Sequence, residues 1–103
     1  MSEDDLEIIM RKEYDTAIHD FYESDSYNPL FHMFRDFLFK LEGIITDNSL
    51  FQRSGMTRKA YNNKAKEVFI ELCNEYAVQY RINIQGFIDA ANSICYEYTR
   101  KFT

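Results

Sequence analysis

Asp15, His19 and Glu23 stand four residues apart, and His32 and Asp36 repeat that step. On a helix such spacing brings side chains to one face, where imidazole and carboxylate groups can share a divalent ion. Inside a bundle, a metal site of this kind must point inward. Here Asp15 and His19 fall opposite the apolar series Leu6, Met10, Tyr14, Ala17, Phe21, and His32 falls opposite Leu30 to Leu41. Both sets therefore read as solvated faces, and neither a metal nor a cofactor is expected. Cys73 and Cys95 lie on or beside apolar stripes of two helices that reverse near residue 82. Their heights along an antiparallel pair differ by about 6 Å, awkward for a disulfide, so reduced core thiols are expected. The chain offers no Gly-rich phosphate loop and no nucleophile elbow, and an enzyme is not expected.

The other chemistry is basic. "FQRSGMTRKAYNNKAKEVF", residues 51–69, places an apolar pair, a Gly turn and a Thr cap ahead of a cationic helix. Arg53 and Arg58 flank the turn, and Lys59, Asn63 and Lys66 share one stripe when Tyr61, Ala65, Val68 and Leu72 face inward. This is the form of a helix-turn-helix, whose second helix presents Arg, Lys and Asn to base edges. Cations at a helix N-terminus oppose its dipole, which calls for a compensating interaction. Three features weigh against DNA. "TDNSLFQRS" supplies only about one and a half turns of preceding helix, and the cationic helix runs over twenty residues. The net charge is −5, against the phosphate neutralisation that gives most DNA binders their affinity. The competing expectation is that the segment pairs with an acidic surface, including the N-terminal helix of the same chain.

Charge is segregated along the chain. Residues 1–26 carry nine acids against Arg11 and Lys12, whereas residues 53–66 carry five bases and no acid. Such asymmetry orients a molecule toward a partner. An acidic first helix, residues 3–25, could also present carboxylates as a mimic of DNA. Phe, Tyr, Met, Ile, Asn and Lys are abundant and Gly, Ala, Arg and Pro scarce, a bias of A/T-rich codons that suits a low-GC bacterium or its mobile elements. The acidic start "MSEDDLE" lacks the basic and apolar character of an export signal. No apolar run approaches the ~18 residues of a membrane span. A cytosolic protein without membrane contact is expected.

These residues must be positioned by helices. With 46% apolar residues, three Gly and one Pro, the chain is poor in turns and suited to a few long elements in one domain spanning 1–103. Ser2 with Asp5 resembles a capping box opening a helix to about residue 23. Asn28 and Pro29 fit N-cap and N1 of a second helix to Ile45. "TDNS" precedes a short extra helical turn at 49–53; Gly55 turns the chain and Thr57 caps a helix to Tyr80. Asn83 caps the last helix, along Ile84, Phe87, Ala91, Ile94 and Tyr98. The periodicity predicts an all-α, compact four-helix bundle.

Apolar surface is in excess. The second helix, "NPLFHMFRDFLFKLEGII", is apolar around most of its circumference, leaving Phe31, Met33 and Phe39 outside its core stripe. Ile70 and Tyr96 likewise point away from the stripes of their helices. A helix apolar all round is either central or covered by a partner, and exposed aromatic and Met groups serve interfaces. The expected function is therefore a small acidic regulator or inhibitor that binds another protein and forms a homodimer. The alternative is a helix-turn-helix-like transcriptional regulator reading DNA through residues 51–69.

Overall fold

A computed structural model describes residues 1–23, 29–81 and 83–102. Among the described residues five helices follow one another: α1 (Glu3–Glu23), α2 (Pro29–Ile45), α3 (Asn48–Ser54), α4 (Arg58–Tyr80) and α5 (Gln85–Phe102). No strand occurs among the described residues. The all-α expectation holds, with one enlargement: the extra turn is a seven-residue helix, so four long helices are joined by a fifth. Residues 24–28 and the predicted Asn28 cap lie outside the described residues.

Local chemistry sets the boundaries. The Ser2 hydroxyl accepts from the Asp5 amide at 3.1 Å, and Glu3, Asp4 and Asp5 crowd the positive end of α1. Asp47 caps α3 by accepting from Leu50 N at 3.0 Å. Gly55 ends α3 in the left-handed region at φ 67°, where a β-carbon would be strained. Thr57 then caps α4 by accepting from Ala60 N at 3.2 Å. The Asn83 side chain accepts from Gln85 N at 3.0 Å as α5 begins.

Packing explains the apolar circumference of the second helix. α2 touches all four other helices, lying against α1 on one side and α4 and α5 on the others. Phe34, Phe37, Leu41, Ile44 and Ile45 are all buried, and so is Met33, at 1% exposure. Its place in the centre buries Met33, which the sequence had assigned to an exposed flank. Phe37 receives the edges of Tyr14 from α1 at 5.8 Å and Phe69 from α4 at 6.4 Å between centroids. Phe34 continues the cluster to Phe87 of α5 at 5.1 Å. α4 also has neighbours on several sides, so Phe69, Cys73 and Asn62 are buried beside the expected stripe of Tyr61, Ala65, Val68 and Leu72. Ile70, expected on the outside, is half-buried against the core for the same reason.

Arg81 ends α4 with φ 56° and ψ 49°, a left-handed conformation for a residue bearing a β-carbon, while its amide donates to Ala77 O. Glycine removes that steric cost, less the few tenths of a kcal/mol that a cation contributes at a helix C-terminus. Arg81→Gly is expected to stabilise the protein by about 0.5–1 kcal/mol. Thermal melts followed by circular dichroism test this; an unchanged or lowered midpoint would refute it.

Candidate functional site: the α4–α5 groove

Five cationic or amide residues of 51–69 were expected to form one patch. They do not act together. Arg53 lies exposed in the last turn of α3, where its charge suits the helix dipole. Arg58 turns inward instead of outward. Its guanidinium sits 3.8 Å from the Phe51 ring centroid and 4.7 Å from that of Phe102, and it donates to Ile45 O at 2.8 Å. A cation misplaced for the dipole of α4 is thus well placed for the carbonyl end of α2, which has no basic residue in its own last turn. The buried Tyr61 hydroxyl donates to the neighbouring Ile44 carbonyl, and burial pushes its pKa up from the ordinary 10.0. Two α4 side chains therefore close the C-terminus of α2.

Lys64 takes a third direction. Its amine lies 3.6 Å from Glu3 and 3.9 Å from Glu7 of α1, while Arg11 reaches from α1 to Glu71 of α4 at 2.8 Å. The expected pairing of the basic segment with the acidic first helix is present, through one lysine. It also engages two of the carboxylates that a DNA-mimicking α1 would display.

Lys59, Asn63 and Lys66 remain, and they share one place. With Asn92, Cys95, Tyr96 and Thr99 of α5 they line an open groove of about 200 Å³. Neither Lys59 nor Lys66 makes an ion pair with a described residue. Tyr96 is 65% exposed. The Asn63 side-chain oxygen accepts from the Cys95 thiol at 3.5 Å, which ties the two walls together. Below them, fully buried Asn62 donates to Thr99 Oγ1 at 3.0 Å and accepts from Arg58 at 3.4 Å. The basic stripe and the exposed aromatic, nominated separately from sequence, therefore converge. Asn62 was missed, because an Asn on a cationic helix reads as surface. Its signal was the step from Arg58 to Asn62, one helical turn along the same face.

The remaining apolar candidates disperse. Phe39, 60% exposed, walls a second groove of about 290 Å³ with Gly43, Ile44 and Leu50, rimmed by Glu13, Lys40 and Asp47. The Phe31 side chain lies outside the described residues. So do those of His19 and Glu23, while Asp15 is exposed on α1 and His32 and Asp36 are half-buried on α2. No cluster of three potential metal ligands occurs among the described residues. Cys73 and Cys95 are both buried and free, and burial raises the Cys73 thiol to about 12. No described helix is long and apolar enough to cross a membrane.

No protein-family model, no curated protein and no solved structure matches this chain. The reading of the groove therefore rests on its geometry.

Arg58 and Lys59 are neighbours with opposite roles, which makes them a test. Arg58→Ala removes two charge-assisted hydrogen bonds and three ring contacts and is expected to cost about 2–3 kcal/mol. Lys59→Ala, on an exposed side chain with no ion pair among the described residues, is expected to change stability by no more than about 0.5 kcal/mol. Urea unfolding of the two variants decides; equal effects contradict the assignment.

Proposed function

We propose that this protein is a binding module, a regulator or inhibitor of another protein, that engages its partner through the α4–α5 groove. The observation that carries this is the convergence of Lys59, Asn63 and Lys66 with the exposed Tyr96 on one surface. Two cations without an ion pair among the described residues, amides on both walls and a ring that can cover apolar area at small entropy cost suit a protein surface bearing carboxylates. Mutual neutralisation of α1 and α4 elsewhere supports it too. Arg58 and Lys64 serve the fold, whereas Lys59 and Lys66 make no ion pair among the described residues. Cytosolic residence is part of the same proposal.

The DNA reading has one observation in its favour: α3, the left-handed Gly55 and capped α4 do form a helix, a turn and a helix. Two observations weigh against it. Arg58 is committed to Ile45, Phe51 and Phe102. The stripe of Lys59, Asn63 and Lys66 is bordered along its length by α5, so α4 cannot enter a major groove as a free convex helix.

A photo-crosslinking residue at Tyr96, compared with one at Val78, an exposed site away from the groove, tests the reading in cells. The expected result is a discrete protein adduct at position 96 and none at 78. A nuclease-sensitive adduct, or one consensus motif from random-sequence DNA selection, would contradict it.

Association with a second copy is proposed for the other groove. Phe39 is a large exposed ring with charges of both signs beside it, an arrangement that can complement itself about a two-fold axis. Light scattering is expected to give about twice the 12.4 kDa chain mass, and Phe39→Glu to give a folded monomer. A wild-type monomer at high concentration rules this out.

A further inference from the structure

We infer that the α4–α5 groove takes an acidic α-helix from a different protein, laid along the groove with carboxylates seven residues apart. The inference rests on the reading of this groove as a protein-binding surface and adds the register of its occupant. Lys59 and Lys66 are separated by seven residues, close to two helical turns, so their amines leave one side of α4 about 10 Å apart along its axis. Asn63 stands between them. On the opposite wall, Asn92, Tyr96 and Thr99 follow the same helical period along α5.

Two walls with one period match a third helix. Its own side chains at positions seven apart rise by the same distance, so two carboxylates meet both amines without distortion of either partner. The residue midway between them falls beside Asn63 and against Tyr96, whose exposed ring offers it apolar contact. A polyanion fits less well. Its phosphates follow one another at shorter intervals than the lysines, and a chain of net charge −5 gains little from a continuous array of charge.

The occupant is also distinguished from a second copy of this chain. Acids occur seven residues apart at only one place in the sequence, Glu13 and Asp20. Between them lies Ala17, which is fully buried in the core. The residue midway between the two acids is therefore withheld from Tyr96, and Glu13, though exposed, lines the Phe39 groove proposed for the second copy.

The experiment uses two lactam-stapled helical peptides of identical composition. One carries glutamates seven residues apart; the other carries them on opposite faces. Each is titrated into the isotopically labelled full chain, alongside oligothymidylate, and the Asn63 and Asn92 side-chain amides are followed by NMR. The in-register peptide is expected to shift both amides and to bind at least about tenfold tighter than its isomer, with salt weakening the binding. Combined Lys59→Glu and Lys66→Glu substitution is expected to erase that preference while the circular dichroism spectrum is retained. Equal binding of the two peptides in the groove overturns the register and leaves the groove reading in place. Absence of any shift with either peptide overturns both. Tighter binding of oligothymidylate overturns the inference in favour of nucleic acid.

Discussion

Everything in this fold depends on the ring of Phe37. It sits on the central helix with Tyr14, Phe34, Phe69 and Tyr76 around it, so that α1, α2 and α4 are joined through one cluster, and Phe34 extends the cluster to α5. A buried phenylalanine contributes about 3–5 kcal/mol relative to alanine, a large share of what a domain this size has in reserve. Non-directional burial alone would leave the rotation of each helix loosely fixed. The C-terminus of α2 adds direction, since Ile44 and Ile45 present carbonyls that accept from Tyr61 and Arg58 of α4. Once those bonds form, α4 has one permitted rotation about its axis. That rotation sends Lys64 to α1 and leaves Lys59, Asn63 and Lys66 beside α5.

Local signals were legible from sequence, and non-local ones were not. Ser2, Gly55 and Thr57 act within a few residues of themselves, and each does in the structure what its chemistry dictates. The inward stripes of α1, as far as Ala17, and of α5 were legible because each helix has one main buried face; the Phe21 side chain lies outside the described residues. Met33 and Ile70 were misplaced because α2 and α4 are buried on more than one side, which a single-stripe wheel cannot represent. Arg58 was misread for a related reason. Besides Asn62, its partners include a carbonyl thirteen positions upstream and a ring more than forty positions downstream, and nothing within one helical turn announces those two. The groove itself combined two legible halves, and only the pairing of α4 with α5 brings them together.

The polar groups of this protein fall into two sets. Those that hold the fold are buried or half-buried and satisfied: Tyr14 donates to Ala65, Asn62 bonds both Thr99 and Arg58, and Tyr98 of α5 donates to Glu42 of α2. The hydrogen bond to Glu42, foremost, raises the Tyr98 pKa above its ordinary 10.0, and burial does the same for Tyr14. Lys59 and Lys66 belong to the other set, lining the groove with no ion pair among the described residues. A rigid two-helix groove with its cations already in place gives up little conformational freedom on binding. The separation of roles follows from the rotation of α4 fixed at the end of α2.

Native-state hydrogen exchange tests that dependence most directly. If α2 is the element on which the others rest, its amides from Phe37 to Ile45 should exchange only through global unfolding, at the slowest rate in the protein. The amides of α4 around Tyr61 and Phe69 should open with them in the same cooperative unit. If α2 exchanges by a local opening while the α4–α5 pair stays protected, the central role assigned to α2 is contradicted.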